Sequence, residues 1–211
     1  MRVRRVVTGH DTNGKAVFAS DKLVDPVTVA LIPGGEFHLL WGADQPPTFP
    51  DDGAATPQPT YFPPLGGYRF GLFTVPPASA SAPGELDLAV ALTEVEEKLP
   101  GLIAHMEPDN PGMHTTDTID FEVVLSGEVF LELDDGAETV LRPGDTVVQN
   151  GTRHRWGNRG TGPAVLAVFL IGPTAPAREW GAQWPSYPGA TTSVLELHWP
   201  ESGGTTPRNT G

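Results

Sequence analysis

Residues 112–128 read GMHTTDTIDFEVVLSGE, residues 129–145 VFLELDDGAETVLRPGD and residues 146–158 TVVQNGTRHRWGN. Two polar clusters flank a hairpin. The first holds His114, Thr116, Asp117, Asp120 and Glu122, and the second holds Gln149, His154, Trp156 and Asn158. After Gly112 the alternation is strict: Ile119, Phe121, Val123 and Leu125 share one parity, while His114, Thr116, Asp120 and Glu122 share the other. A period of two is that of a strand, with one greasy face and one that can bind. A small β-barrel brings both clusters to one interior point, where a metal or a small ligand can sit. The apolar face then needs a cover, either the N-terminal strands or a second subunit. Asp135-Gly136 marks the hairpin turn, and Gly127 and Gly144 read as turn residues.

Working outward, AVLAVFLI (164–171) is apolar at both parities, which predicts a central strand covered on both faces. Upstream, VRRVVTG, AVFAS, VTVALI, FHLLWG and YRFGLFTVP are β-branched and aromatic runs divided by turn formers, so each predicts a strand. Asn13-Gly14 is a type I′ hairpin signal. Residues 43–67 carry many prolines and predict an irregular loop over the barrel, pinned by Phe49, Tyr61 and Phe62. Residues 77–85 read as a flexible connection. One helix is predicted over 86–99, with Leu88, Leu92, Val95 and Leu99 on one face. A Thr93/Glu96 capping box would shorten it, and Pro100-Gly101 ends it. Residues 178–189 are Pro- and Trp-rich, 193–199 read as a further strand, and 201–211 as a disordered tail.

Composition narrows the classes. In 211 residues, Gly 25 and Pro 23 make up nearly a quarter, which suits a loop-rich sheet protein in one domain. A net charge of -13 argues against nucleic-acid or anionic-membrane partners. With Cys 0, any metal must be held by imidazole, carboxylate or amide oxygen, which fits a reducing cytoplasm. No apolar run approaches the roughly 20 residues of a membrane helix, nor does the start read as a signal peptide.

These residues resemble the cupin superfamily, whose fold is a jelly-roll barrel. His114, Thr116, Asp120 and Gly127 fall at the positions of its first motif, with Thr in place of the second His and Asp in place of Glu. Gly144-Asp145, Gly151, His154 and Asn158 match the second motif, one residue short and without its Pro. The block 113–158 is also similar to small bacterial and fungal single-domain cupins, and the chain is read as a bacterial member. The resemblance implies an all-β double-stranded β-helix with a core at 103–172. N-terminal strands within 1–76 and one short α-helix would pack outside it. It also implies a divalent Fe, Mn, Zn or Ni held by His114, Asp120 and His154, which would be the catalytic residues, and a homodimer.

Three functions stay open at this point. One is a metal-dependent enzyme of oxygenase, isomerase or lyase type acting on a small, aromatic or polyketide-like molecule. A second is a metal-free binding or sensing module, with the two His as hydrogen-bonded structural imidazoles. The third is metal-free acid/base catalysis by His114 and Asp120. Thr116, Glu122, Gln149 and Trp156 are the candidate ligand-binding residues, Trp156 as a stacking wall. His10, His38, His105 and His198 lie outside the motif and carry no site role.

Overall fold

The computed structural model describes residues 2–80 and 86–174. The expected strand at 193–199, the segment 178–189, the tail 201–211 and His198 lie outside the described residues, as does most of the connection 77–85.

Among the described residues, ten strands and one α-helix occur in the order β1 (Val3–His10), β2 (Ala16–Val24), β3 (Glu36–Ala43), β4 (Tyr68–Val75), α1 (Leu88–Lys98), β5 (Ile119–Ser126), β6 (Val129–Glu132), β7 (Glu138–Leu141), β8 (Thr146–Asn150), β9 (Arg155–Gly157) and β10 (Ala164–Ile171). All pairings are antiparallel. A five-stranded sheet runs β3-β4-β10-β5-β8, a three-stranded sheet runs β7-β6-β9, and β1-β2 form a separate ribbon. This is a cupin β-barrel arrangement with one helix. Strands β3 and β4 belong to the barrel sheet itself, so only the β1-β2 ribbon stands apart from it.

The parity of β5 decides what faces inward. Asp120, Glu122 and Val124 are buried while Phe121 and Leu125 are 42% and 49% exposed. Alternate residues of a pleated strand point to opposite faces, so the polar side chains enter the barrel and the aromatic ones leave it. On β10 the inward set is Leu166, Val168 and Leu170. That strand is central as expected, but among the described residues its outer face is open, with Phe169 and Ile171 44% and 42% exposed. Strand register aligns Trp41, Phe70, Phe169, Phe121 and Val148 in one row across all five strands. Phe70 and Phe169 stack at 4.4 Å, and the Arg5 guanidinium lies 5.6 Å from the Trp41 ring.

Three local expectations are corrected. VTVALI forms no strand: it has a single bridge, Val27 to Phe37, followed by tight turns closed by Ile32 N–H to Val29 C=O and Gly35 N–H to Ile32 C=O. Its apolar residues pack instead under the helix, in a cluster of Val29, Phe37, Val95, Leu99 and Leu102. The β1-β2 turn is not type I′, because Gly14 has φ 76 but Asn13 has no positive φ. The Asp11 carboxylate shapes it by accepting the Asn13 and Lys15 amides at 2.8 and 2.9 Å. Helix α1 starts at an Asp87 cap that accepts from Ala89 and Val90 N–H, so the Thr93/Glu96 box does not form. Its buried stripe is Ala91, Val95 and Leu99, and Leu88 is 58% exposed.

Turn chemistry closes the barrel. Asp135 (φ 57) and Gly136 (φ 73) make the β6-β7 turn, where the left-handed region favours Gly and tolerates Asp. At Gly127 (φ 75) a Cβ would sit 2.7 Å from Ala164, so this position needs glycine twice over.

Candidate functional site

The two histidines meet at one end of the barrel. His114 and His154 form an isolated antiparallel bridge, each amide donating to the other's carbonyl at 2.9 Å. That bridge places the ring centroids 4.1 Å apart at 50°. His114 Nδ1 lies 3.0 Å from Gly112 C=O and His154 Nδ1 2.8 Å from Thr152 C=O. A carbonyl only accepts, so in both rings Nδ1 carries the proton and Nε2 holds the lone pair of the neutral imidazole.

Both rings line a cavity of about 530 Å³, which also takes Asp120 and Glu122 from β5, Phe73 from β4, Phe130 from β6 and Trp156 from β9. Tyr61 and Phe62, from the loop 44–67, form part of its wall. Trp156 stands edge-on to His154 at 6.3 Å and to Phe73 at 6.2 Å. Such a volume and lining suit a small, mostly apolar molecule.

The loop is held in place by Arg69, only 6% exposed at the start of β4. Its guanidinium donates to the carbonyls of Ala43 (3.0 Å), Tyr68 (3.0 Å) and Thr60 (3.1 and 3.3 Å) and to Asp44 Oδ1 (2.6 Å). Tyr61 N–H donates to Pro100 C=O at 2.8 Å, and Tyr61 and Phe62 meet edge to face at 4.9 Å. Phe49, by contrast, is 78% exposed and pins nothing.

The electrostatics follow from burial. Glu122 and Asp120 are 4% and 3% exposed, and Asp120 Oδ1 and Glu122 Oε2 have no hydrogen-bond partner. Desolvation, then the charge on Asp120, raises Glu122 to about 8. Desolvation raises Asp120 to about 6. Desolvation, then the neighbouring His114, lowers His154 to about 4, and His114 is itself lowered by burial. Desolvation, with the charges of Asp120 and Glu122, raises the Tyr61 phenol. Near neutral pH the site therefore holds two neutral imidazoles and a protonated Glu122.

Other motif residues are engaged elsewhere. Thr116, 2% exposed, accepts from Thr118 Oγ1 at 2.8 Å and does not line the cavity. Gln149 is buried but donates to Thr152 C=O at 3.2 Å. Asn158 reaches the cavity, yet its amide ties the 158–162 turn to Val75 C=O (3.0 Å) and Gly162 C=O (2.9 Å). Asp117 and His105 line a second hollow of about 400 Å³, with His105 4.6 Å from the Phe62 ring. His10 binds Asp51 C=O and His38 is buried on β3.

The metal set implied by the resemblance, His114, Asp120 and His154, lines one cavity. Among the described residues no group of three or more His, Asp or Glu side chains is placed to hold a metal ion. Two of the imidazoles are adjacent, at 4.1 Å between ring centroids, and Asp120 lines the same cavity. Tyr61, Phe62 and Phe73 were not among the residues the sequence singled out for the site. They lie 52 and more residues before His114 or on another strand, and only the aromatic content of a proline-rich loop hinted at the first two.

A barrel of this topology, with the paired motifs at one interior end, defines a cupin, and the chain belongs to the cupin superfamily. The cupin-domain family profile matches residues 102–171. A phomopsin biosynthesis cluster protein of Diaporthe leptostromiformis is 32% identical over 160 residues, covering 74% of this chain and 70% of that protein. A cupin-domain-containing oxidoreductase of Aspergillus ruber is 27% identical over 173 residues, covering 81% and 72%. These relatives are fungal, and the expected bacterial membership finds no support in them. A solved cupin barrel protein from Salinispora arenicola aligns over 68% of this chain and 81% of its own, at 16% identity and TM-score 0.34. No described helix is long and apolar enough to cross a membrane.

Proposed function

We propose that the chain is an enzyme that moves protons on a small, largely apolar carbonyl compound bound under loop 44–67. The observation that carries this reading is the pair of buried, unpartnered carboxyl oxygens, Asp120 Oδ1 and Glu122 Oε2, in one cavity with two imidazoles locked as Nδ1–H tautomers. An Nε2 lone pair of His154 or His114 takes a proton from carbon next to the carbonyl. The C–H electron pair forms a C=C bond, and the carbonyl oxygen receives the Glu122 proton. Return of a proton to a different carbon, with the enol O–H proton going back to Glu122, gives isomerisation. In dehydration the enol returns its O–H proton to Glu122, the carbonyl re-forms, the C=C pair shifts toward the β-carbon, and the hydroxyl there leaves as water with the imidazolium proton. Groups whose environments push their pKa values apart are suited to such paired acid and base roles. The oxidoreductase names of several relatives support catalysis over binding alone.

The test is solvent-deuterium exchange into benzo-fused ketones such as 2-tetralone, followed by NMR on chelator-treated protein. Glu122→Gln and His154→Ala should each lower a wild-type exchange rate by roughly a hundredfold or more. Equal exchange in wild type and both variants refutes the proposal. The metal-dependent enzyme implied by the resemblance is favoured by one observation, the two adjacent Nε2 lone pairs. It would require Asp120 to reach the imidazole pair. A stoichiometric transition metal in untagged protein, lost in both His114→Ala and His154→Ala, would replace proton transfer by that reading. Ligand binding with no exchange and no metal would leave the binding module.

A further inference from the structure

The inner end of the cavity offers lone pairs and few protons. Both Nδ1–H groups are spent on the Gly112 and Thr152 carbonyls, so the rings present acceptors. Asp120 Oδ1 and Glu122 Oε2 are buried and bare. Burying a polar atom without a partner is costly, which marks these oxygens as waiting for a ligand. Among the described residues, Arg155 is the one lysine or arginine that lines this cavity. It is already bound to Glu132, at 2.6 and 2.8 Å, and to Asn110 at 3.3 Å. An anion entering here would meet buried carboxyls and no free cation.

The acceptors are also spread out. Asp120 and Glu122 are two positions apart on one face of β5, roughly 6.6 Å along a strand. No three of the acidic and imidazole groups converge as an ion requires. A flat molecule carrying several separated O–H groups matches that spacing better than a single ion. Its body would lie against Phe73, Phe130 and Trp156.

Resting on the proton-transfer reading for the same site, we propose that its carbonyl substrate is an uncharged, hydroxylated aromatic molecule of two or three fused rings. At least two of its hydroxyls donate to the Asp120–Glu122 edge and the imidazole pair, and the site rejects carboxylates and phosphates. A hydroxyl suits Glu122 in either protonation state because it both donates and accepts. Shape alone does not set this selectivity: the donors do.

Three probes of one shape test it by calorimetry on chelator-treated protein: 2,7-dihydroxynaphthalene, its dimethyl ether, and 2-naphthoate. The diol should bind at least tenfold tighter than the ether, and the naphthoate should not bind. Asp120→Asn replaces an acceptor oxygen by an amide that can donate, and should shrink the diol-to-ether ratio to below threefold. Should that variant lose its cooperative thermal transition, Glu122→Leu, which removes both carboxyl oxygens at similar volume, takes its place with the same expectation. The proposal is overturned if the diol fails to bind, if the ether equals it, if naphthoate binds within threefold of it, or if the ratio is unchanged in the folded variant. Diol selectivity without deuterium exchange would sink only the catalytic reading; exchange together with tight naphthoate binding would sink only this one.

Discussion

Replacing Glu122 by Gln removes one titrating group and little volume, and its effect should depend on pH in a way that the burial dictates. Folded Glu122 holds its proton up to about 8, against 4.5 for the free side chain. Between those values the unfolded chain has released a proton that the folded chain keeps. The stability associated with the protonated carboxyl is therefore complete below 4.5 and is lost as pH rises through about 8. His154 works in the opposite sense between about 4 and 6.5, and Asp120 in the same sense between 3.8 and about 6. The window from 6.5 to 8 is left to Glu122. At about 1.4 kcal/mol per pH unit, wild type should lose about 2 kcal/mol across it relative to Glu122→Gln. Urea unfolding of both proteins with chelator, at pH 6.5 and pH 8, reads that difference directly. Parallel losses in the two proteins would refute the reasoning. So would a wild type that gains on the variant as pH rises, since that would mean the ionised carboxylate is stabilised by a cation.

Other perturbations give sharper structural readouts. Arg69→Ala strands four carbonyl contacts and the Asp44 carboxylate near a 6% exposed position, and should cost about 3 kcal/mol in urea unfolding while weakening ligand binding. Gly127→Ala combines φ 75 with a Cβ 2.7 Å from Ala164 and should cost at least about 2 kcal/mol by the same assay. Leu88→Ala, at a 58% exposed position of α1, should change the midpoint little, whereas Leu99→Ala, fully buried, should cost about 3 kcal/mol. We also propose that a second copy covers the row of Phe169, Phe121 and Val148. On that basis Phe169→Asp should convert a dimer into a folded monomer by analytical ultracentrifugation, and a monomeric wild type would remove the expectation.

How much of this was legible beforehand follows from where each signal resides. The parity of β5 is a property of adjacent residues, so its inward Asp120 and Glu122 and outward Phe121 could be read directly. The central place of β10 was legible for the same reason, but its covering was not, because an apolar run does not say whether a neighbour lies in the same chain. VTVALI has strand-like residues and no strand, since Val29 finds its burial beneath Val95 and Leu99 instead of in a ladder. At the site, motif spacing named residues that the fold does bring to one cavity, His114, Asp120, Glu122, His154 and Trp156. It also named Thr116 and Gln149, whose hydrogen bonds are satisfied by near neighbours. That Tyr61 and Phe62 pin the proline-rich loop was legible, but their place in the cavity wall was not, because it depends on Arg69 gripping backbone carbonyls, which leave no mark in a side-chain pattern.

That grip has an evolutionary corollary. Carbonyl oxygens are supplied by every residue type, so apart from the Asp44 carboxylate the span between Ala43 and Thr60 can drift in composition, and within limits in length, while the same guanidinium continues to seat it. The barrel's polar floor and its aromatic ceiling thus rest on different contacts: strand parity turns Asp120 and Glu122 inward, and an arginine grip seats Tyr61 and Phe62 above them.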